Sequence, residues 1–262
     1  MTKLINNPFK SCRRIGDVTF YQRAGQTIAR NRHNGPNHRP PSQSQLLQCS
    51  QMGNLVNLWR AFPVGQRPEY QHRPCGVTNY NLFVASGLHA HHVYLPNTLT
   101  RLGACVVTNV LVSQGLLPSI NVWHDGTASA TDLWLDSRDI DDTSPVNQLA
   151  RAIIQNNVDY LQGDSLLFYL CEQYWSQHLD QPMVRVSRTE LVLDLTDERP
   201  LQEAVGHCIG FAQRDGWLAA SRSVEGGLTW VHLRHGEEGL LSSTQRLVCN
   251  NPMWERYEEF KV

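Results

Sequence analysis

Long apolar runs are absent from this chain of 262 residues. No stretch reaches the roughly 18 consecutive apolar residues that a helical membrane span needs. The opening MTKLINNPFKSCRRIGDV is basic but has no apolar segment behind it, so a secretory signal is not expected. Cys-x-x-Cys is also missing. The seven cysteines (Cys12, Cys49, Cys75, Cys105, Cys171, Cys208 and Cys249) are odd in number and widely spaced. That pattern predicts free thiols in a reducing compartment rather than a disulfide framework. The motifs with a defined mechanism are missing as well. There is no phosphate-binding Gly-x-x-x-x-Gly-Lys-Ser/Thr loop, no dinucleotide Gly-x-Gly-x-x-Gly, no Gly-x-Ser-x-Gly elbow and no signature around any cysteine. The expectation is a protein that is not an enzyme and carries no cofactor.

Acid is scarce at the front of the chain. Residues 1–45 hold Lys3, Lys10, Arg13, Arg14, Arg23, Arg30, Arg32 and Arg39 against one carboxylate, Asp17, a net of +7. The remainder nets −8, so the near-neutral total of −1 hides a strong asymmetry. Such a leader suits an acidic partner, either nucleic acid or the acidic body of another copy. Arginine forks fit phosphate or carboxylate, and the interleaved Phe9, Phe20 and Tyr21 offer faces on which bases can stack. The acidic body favours the second partner, because dedicated nucleic-acid binders are usually basic over their folded domain too.

Val18–Arg23 is a short strand candidate, Ala24-Gly25 a tight turn, and Gln26–Arg30 its hairpin partner. Asn34-Gly35-Pro36-Asn37-His38-Arg39-Pro40-Pro41 cannot hold a helix, because its prolines lack donors. Residues 1–45 are therefore expected to form a basic, extended arm with a hairpin. A helix follows over 46–64, capped by Ser42 or Ser44 and ended by Pro63 and Gly65, with Leu46, Leu47, Met52, Leu55, Val56, Leu58, Trp59 and Phe62 as its apolar stripe.

Beyond residue 78 short β-branched and aromatic runs predict strands at 82–85, 104–107, 120–123, 131–135, 166–169, 184–195, 208–221, 227–235 and 240–249. A helix interrupts them at 145–157, announced by Asp141-Asp142-Thr143-Ser144-Pro145. The fold class expected is mainly β with a few helices (α+β). It has a sandwich-like body, either as two β-rich domains at 78–165 and 166–262 or as one continuous sheet.

Metal chemistry finds little support. His89 and His91 would share a face if residues 89–92 formed a strand, but two further ligands would have to come from afar, for instance His72 or Cys75. His232 and His235, placed with Cys208, make a still poorer set. The acidic run Asp132, Asp136, Asp139, Asp141, Asp142 lacks the order of a calcium loop and reads as a solvated loop leading into a helix. No metal is expected.

Three segments carry a resemblance: Gly16–Arg30; Pro41-Ser42-Gln43-Ser44-Gln45 opening a helix that contains Trp59; and Leu241–Val248 with Asn250-Asn251-Pro252. Together, and through Gly163-Asp164, they resemble a domain-of-unknown-function family widespread in Bacteroidetes genomes and of phage-like character. The resemblance implies a virion or filament role, with copies of the chain and other virion proteins as partners, and a location in a virion or the bacterial cytoplasm. None of these motifs is chemical, so it implies no catalytic residue.

Overall fold

The computed structural model describes residues 2–4, 13–15, 18–23, 25–31, 40–71, 73–90, 93, 95–124, 128–136, 139–206, 209–220, 225–236 and 239–250. They fall into two units: Met1–Gln43 with Pro74–Val77, and Ser44–Arg73 with Thr78–Val262.

The first unit is built on the expected hairpin. Strands β3 (Val18–Arg23) and β4 (Gln26–Asn31) pair antiparallel through six residues each. Gly25 closes the turn at a φ of 73°, a conformation that only glycine adopts without strain. Two three-residue strands flank them, β1 (Thr2–Leu4) against β4 and β2 (Arg13–Ile15) against β3, giving the order β1-β4-β3-β2. The arm expected to be extended with a hairpin thus pairs with itself, because strands joined by a short turn satisfy backbone donors in a local ladder at low loop-closure cost. Most of the proline-rich segment, residues 32–39, lies outside the described residues.

The second unit begins with helix α1 (Gln43–Ala61), followed by β5 (Glu69–Tyr70), α2 (Asn79–Gly87), α3 (Asn97–Arg101), β6 (Leu111–Gln114), β7 (Val122–His124), β8 (Ser129–Trp134) and α4 (Val146–Asn156). It continues through β9 (Ser165–Ser176), β10 (Gln181–Val192), α5 (Leu201–Val205), β11 (Phe211–Arg214), β12 (Trp217–Ala220), β13 (Gly226–Gly236), β14 (Gly239–Ser242), β15 (Gln245–Arg246) and β16 (Val248–Asn250). The class is mainly β, α+β.

A central sheet runs β10-β9-β13-β14, with β16 also pairing β13. Its strands are apolar on both faces, so it is a buried middle layer. Leu166, Phe168, Leu170, Leu191, Leu228 and Trp230 face one core, shared with α4, α5 and the sheet β11-β12-β8-β7. Leu167, Tyr169, Cys171, Val184, Val186, Val231 and Leu233 face the other, shared with α1, α2, β5 and β6. The boundary expected at 165/166 is crossed by pairing: β8 joins β12 and β6 joins β15. The body is one unit.

Two of the expected strands are something else. Leu82–Ala85 lies inside α2, capped where Thr78 accepts the Asn81 N–H at 3.2 Å. Its Phe83 and Val84 pack on Leu55 and Leu58 of α1 and on Phe62 just after it, so a short apolar run that fitted either period is decided by tertiary contact. Residues 104–107 are buried but join no ladder. Asn54 and Asn57 of α1 and Gln173 of β9 bond Ala104 O, both Val106 groups and the Val107 N–H, while the Ala104 and Cys105 N–H groups donate to Leu99 O and Pro182 O. Among the described residues, no helix is long and apolar enough to cross a membrane.

Candidate interface on the N-terminal sheet

Residues opposite one another in an antiparallel ladder share a face, and faces alternate along each strand. The register pairs Thr19 with Arg30, Tyr21 with Ile28 and Arg23 with Gln26. One face of the sheet therefore carries Thr19, Tyr21, Arg23, Gln26, Ile28 and Arg30. Positions 3 and 14 (Lys3 and Arg14) join it by register, opposite Ile28 and Thr19. The other face carries Val18, Phe20, Gln22, Thr27, Ala29 and Asn31, with positions 4, 13 and 15. Arg23 and Arg30 are exposed and Tyr21 is half-buried, whereas Thr27 on the opposite face is buried and Phe20 half-buried.

The sheet is thus two-sided. Arg23 and Arg30 lie on one side of it, the side that positions 3 and 14 also join by register. The structure brings Tyr21, Arg23 and Arg30 together, with position 14. It separates Phe20 from them, with position 13 opposite Phe20 in the register. Arg32 and Arg39 lie outside the described residues.

A second polar cluster is buried at the edge of the body. Gly163, at a φ of 87°, turns the chain so that its N–H donates to Leu193 O and the Leu193 N–H to Asp164 O. That turn aims the Asp164 carboxylate at β13. Arg234 Nε donates to Oδ1 at 2.8 Å and Nη2 to Oδ2 at 2.7 Å. The Leu161 N–H and His232 Nε2 reach Oδ2 as well, each at 2.8 Å. The His232 ring stacks on Tyr160, centroids 4.1 Å apart. Burial alone would raise the Asp164 carboxyl; the Arg234 fork, the Leu161 N–H and His232 outweigh it and hold it below its ordinary value. For His232 burial is the larger influence and pulls the imidazole below its ordinary value, against the opposing pull of Asp164. With Asp164 able only to accept, Nε2 carries the proton, and Nδ1 has no partner among the described residues. His232 is fully buried. This is an anchor between the Gly163 turn and β13.

The anchor carries a pH dependence. Folding favours neutral His232, so the unfolded chain binds its proton first, near the ordinary value of 6.5. Stability is expected to fall as pH drops below about 6.5 on that account, and to fall again in stronger acid as Asp164 is protonated. Urea midpoints between pH 7.5 and 5 test this: H232Q should show a shallower loss over that range than the parent chain, and an equal loss refutes it.

The remaining candidates are not brought together. His89 sits in an exposed turn after α2, not on a strand, and His72, His91 and Cys208 lie outside the described residues. Cys75 is exposed, and so is His235. Among the described residues no group of three or more His, Cys, Asp or Glu can hold a metal ion. The Cys105 thiol is pushed up to about 12 by burial, and burial likewise raises Cys171 and Cys249, so none is poised as a thiolate. Asp141 caps the turn before α4, accepting from the Thr143 and Ser144 N–H groups at 2.9 and 3.0 Å. Comparison with protein-family models, with curated proteins and with solved structures found no match for this chain.

Proposed function

We propose that this chain is a structural, self-assembling subunit of a phage-like particle, tail or filament, and that the basic face of its N-terminal sheet docks on the next copy. The observation that carries this reading is the sorting of cations: a small sheet, a unit apart from the body, presents Arg23 and Arg30 together and exposed on one side. The body offers a complement. Residues 141–147 run beside 197–202, joined by the Val146 N–H to Arg199 O and the Asn147 N–H to Asp197 O. Asp139, Asp141, Glu198 and Glu203 are exposed at that corner, while Arg199 is forked onto Asp197. A patch of one sign meeting a different patch of the other sign on an identical copy makes a head-to-tail contact, which builds rings or filaments. Several such charge pairs steer association and weaken with salt.

Sedimentation velocity tests the reading. The full chain is expected to form oligomers at low salt, and R23E/R30E to sediment as a monomer at the same concentration. Deletion of residues 1–40 should do the same. A variant that assembles like the parent overturns the proposal. Tyr21 beside Arg23 and Arg30 favours one second reading, nucleic-acid binding through the same face. Fluorescence anisotropy with DNA and RNA across a salt series separates the two, since each contacted phosphate adds roughly 0.7–0.9 to the log–log salt slope.

A further inference from the structure

α1 leaves one face outside the core. Gln45, Cys49, Met52, Val56 and Arg60 follow one another at steps of three and four residues and line an open cleft of about 660 Å³ between α1 and α3. Buried contacts hold the two walls together. Gly53 lies against Thr100 of α3 so closely that a Cβ there would come within 3.0 Å of the threonine side chain. Asn57 donates through Nδ2 to Thr100 O at 2.7 Å and to Ala104 O at 2.9 Å. The first of those bonds also brings two cations to the cleft. Arg60 stands just under one turn after Asn57, and Arg101 directly follows Thr100. Both arginines line the cleft and no carboxylate does. Among the described residues neither guanidinium has an ion-pair partner. A cleft lined by one sign of charge concentrates counter-ions of the other.

We infer that this cleft binds a small organic anion, its charged head on Arg60 and Arg101 and its apolar body over Met52 and Val56. Guanidinium forks pair with carboxylate or phosphate oxygens, two bonds at a time. The cleft's volume is that of a small-molecule site, and its lining has the usual mixture: an apolar floor and a few polar groups that fix orientation. Because Asn57 and Gly53 set the walls before anything binds, little ordering is left for the ligand to impose. Every residue of the cleft belongs to the second unit. The inference therefore goes beyond the assembly reading and stands or falls without the N-terminal sheet.

Cys49 gives the readout. It is exposed and lines the cleft, whereas Cys75 is exposed and does not, so Cys75 serves as an internal reference. The full chain is alkylated with iodoacetamide under native conditions at increasing phenyl phosphate, and each cysteine is followed by peptide mass spectrometry. At about 10 mM ligand, roughly ten times a millimolar Kd, Cys49 should label about tenfold more slowly. Cys75 should be unchanged, and buried Cys105 and Cys171 should stay unreactive, reporting an intact fold. In R60Q/R101Q the same concentration should slow Cys49 by about twofold or less, the ratio for binding roughly tenfold weaker. M52E sets a carboxylate on the floor and should abolish the protection, whereas M52L should keep it. Inorganic phosphate and benzyl alcohol, each carrying one half of the ligand's chemistry, should protect far less than phenyl phosphate. No slowing of Cys49 in the parent, or equal slowing in the parent and R60Q/R101Q, overturns the inference. Full protection by benzyl alcohol or by inorganic phosphate also overturns it, because the cleft is then a plain apolar surface or a plain oxyanion site.

Discussion

Replacing Asp164 by alanine is expected to destabilise the body by about 3–5 kcal/mol, the loss typical of breaking a buried charged pair from one side. Four donors converge on this carboxylate: Nε and Nη2 of Arg234, the Leu161 N–H and His232 Nε2. Alanine removes this acceptor from all four, leaving Nη2 of Arg234 its bond to Asp159 O. Asparagine does not rescue the site, because its amide replaces one accepting oxygen with a donor that faces donors. R234A should cost less than D164A. The guanidinium is about a quarter exposed, so water can take over part of its role, and the His232 and Leu161 bonds to Asp164 survive. The double variant D164A/R234A should cost less than the sum of the two, since the groups form one network. Urea unfolding with an unchanged slope measures all three. A D164A penalty below about 1 kcal/mol, the range of exposed ion pairs, would show that the cluster does not anchor the turn.

That anchor was out of reach of sequence reasoning. Asp164 stands 68 residues from His232 and 70 from Arg234, and nothing local marks them as partners. Gly163-Asp164 drew attention only through resemblance. The hairpin was legible because its signals are local: short runs with β-branched and aromatic residues on both sides of Ala24-Gly25. The helix at 146–156 was legible for a similar reason, since Asp141 and Pro145 mark its start and Val146, Leu149 and Ile153 fall on one face. Leu82–Ala85 misled because four apolar residues carry no period. The two-sided sheet lay midway. Its parity was readable, yet a count of arginines over residues 1–45 treats Phe20 and Tyr21 alike, whereas alternation places them on opposite faces.

Replacing Asn54 by alanine is expected to be nearly as damaging, at about 3 kcal/mol, since two buried backbone groups lose their partner at roughly 1–3 kcal/mol each. Asn54 is fully buried. Its Nδ2 donates to Val106 O at 3.0 Å and its Oδ1 accepts the Val106 N–H at 2.7 Å, the two bonds a neighbouring strand would have made. Ser50 and Asn57, one turn away on either side, bond the carbonyls of Val93 and of Thr100 and Ala104. The face of α1 that reads as polar is thus as buried as its apolar neighbour. It explains why residues 104–107, whose β-branched sequence favours a strand, stay out of every sheet. Leucine, branched at Cγ like asparagine but larger and without its polar atoms, crowds the site and leaves both Val106 groups unpaired, so N54L should be no better than N54A. Aspartate keeps the acceptor for the Val106 N–H but sets a negative oxygen against Val106 O, so N54D should be worst. Hydrogen exchange gives the local test. In N54A the amides of residues 104–107 should lose protection ahead of β9 and β13, whose ladders do not depend on α1. Uniform loss across the body would mean that Asn54 acts on global stability alone and that the helix does not hold the segment in place.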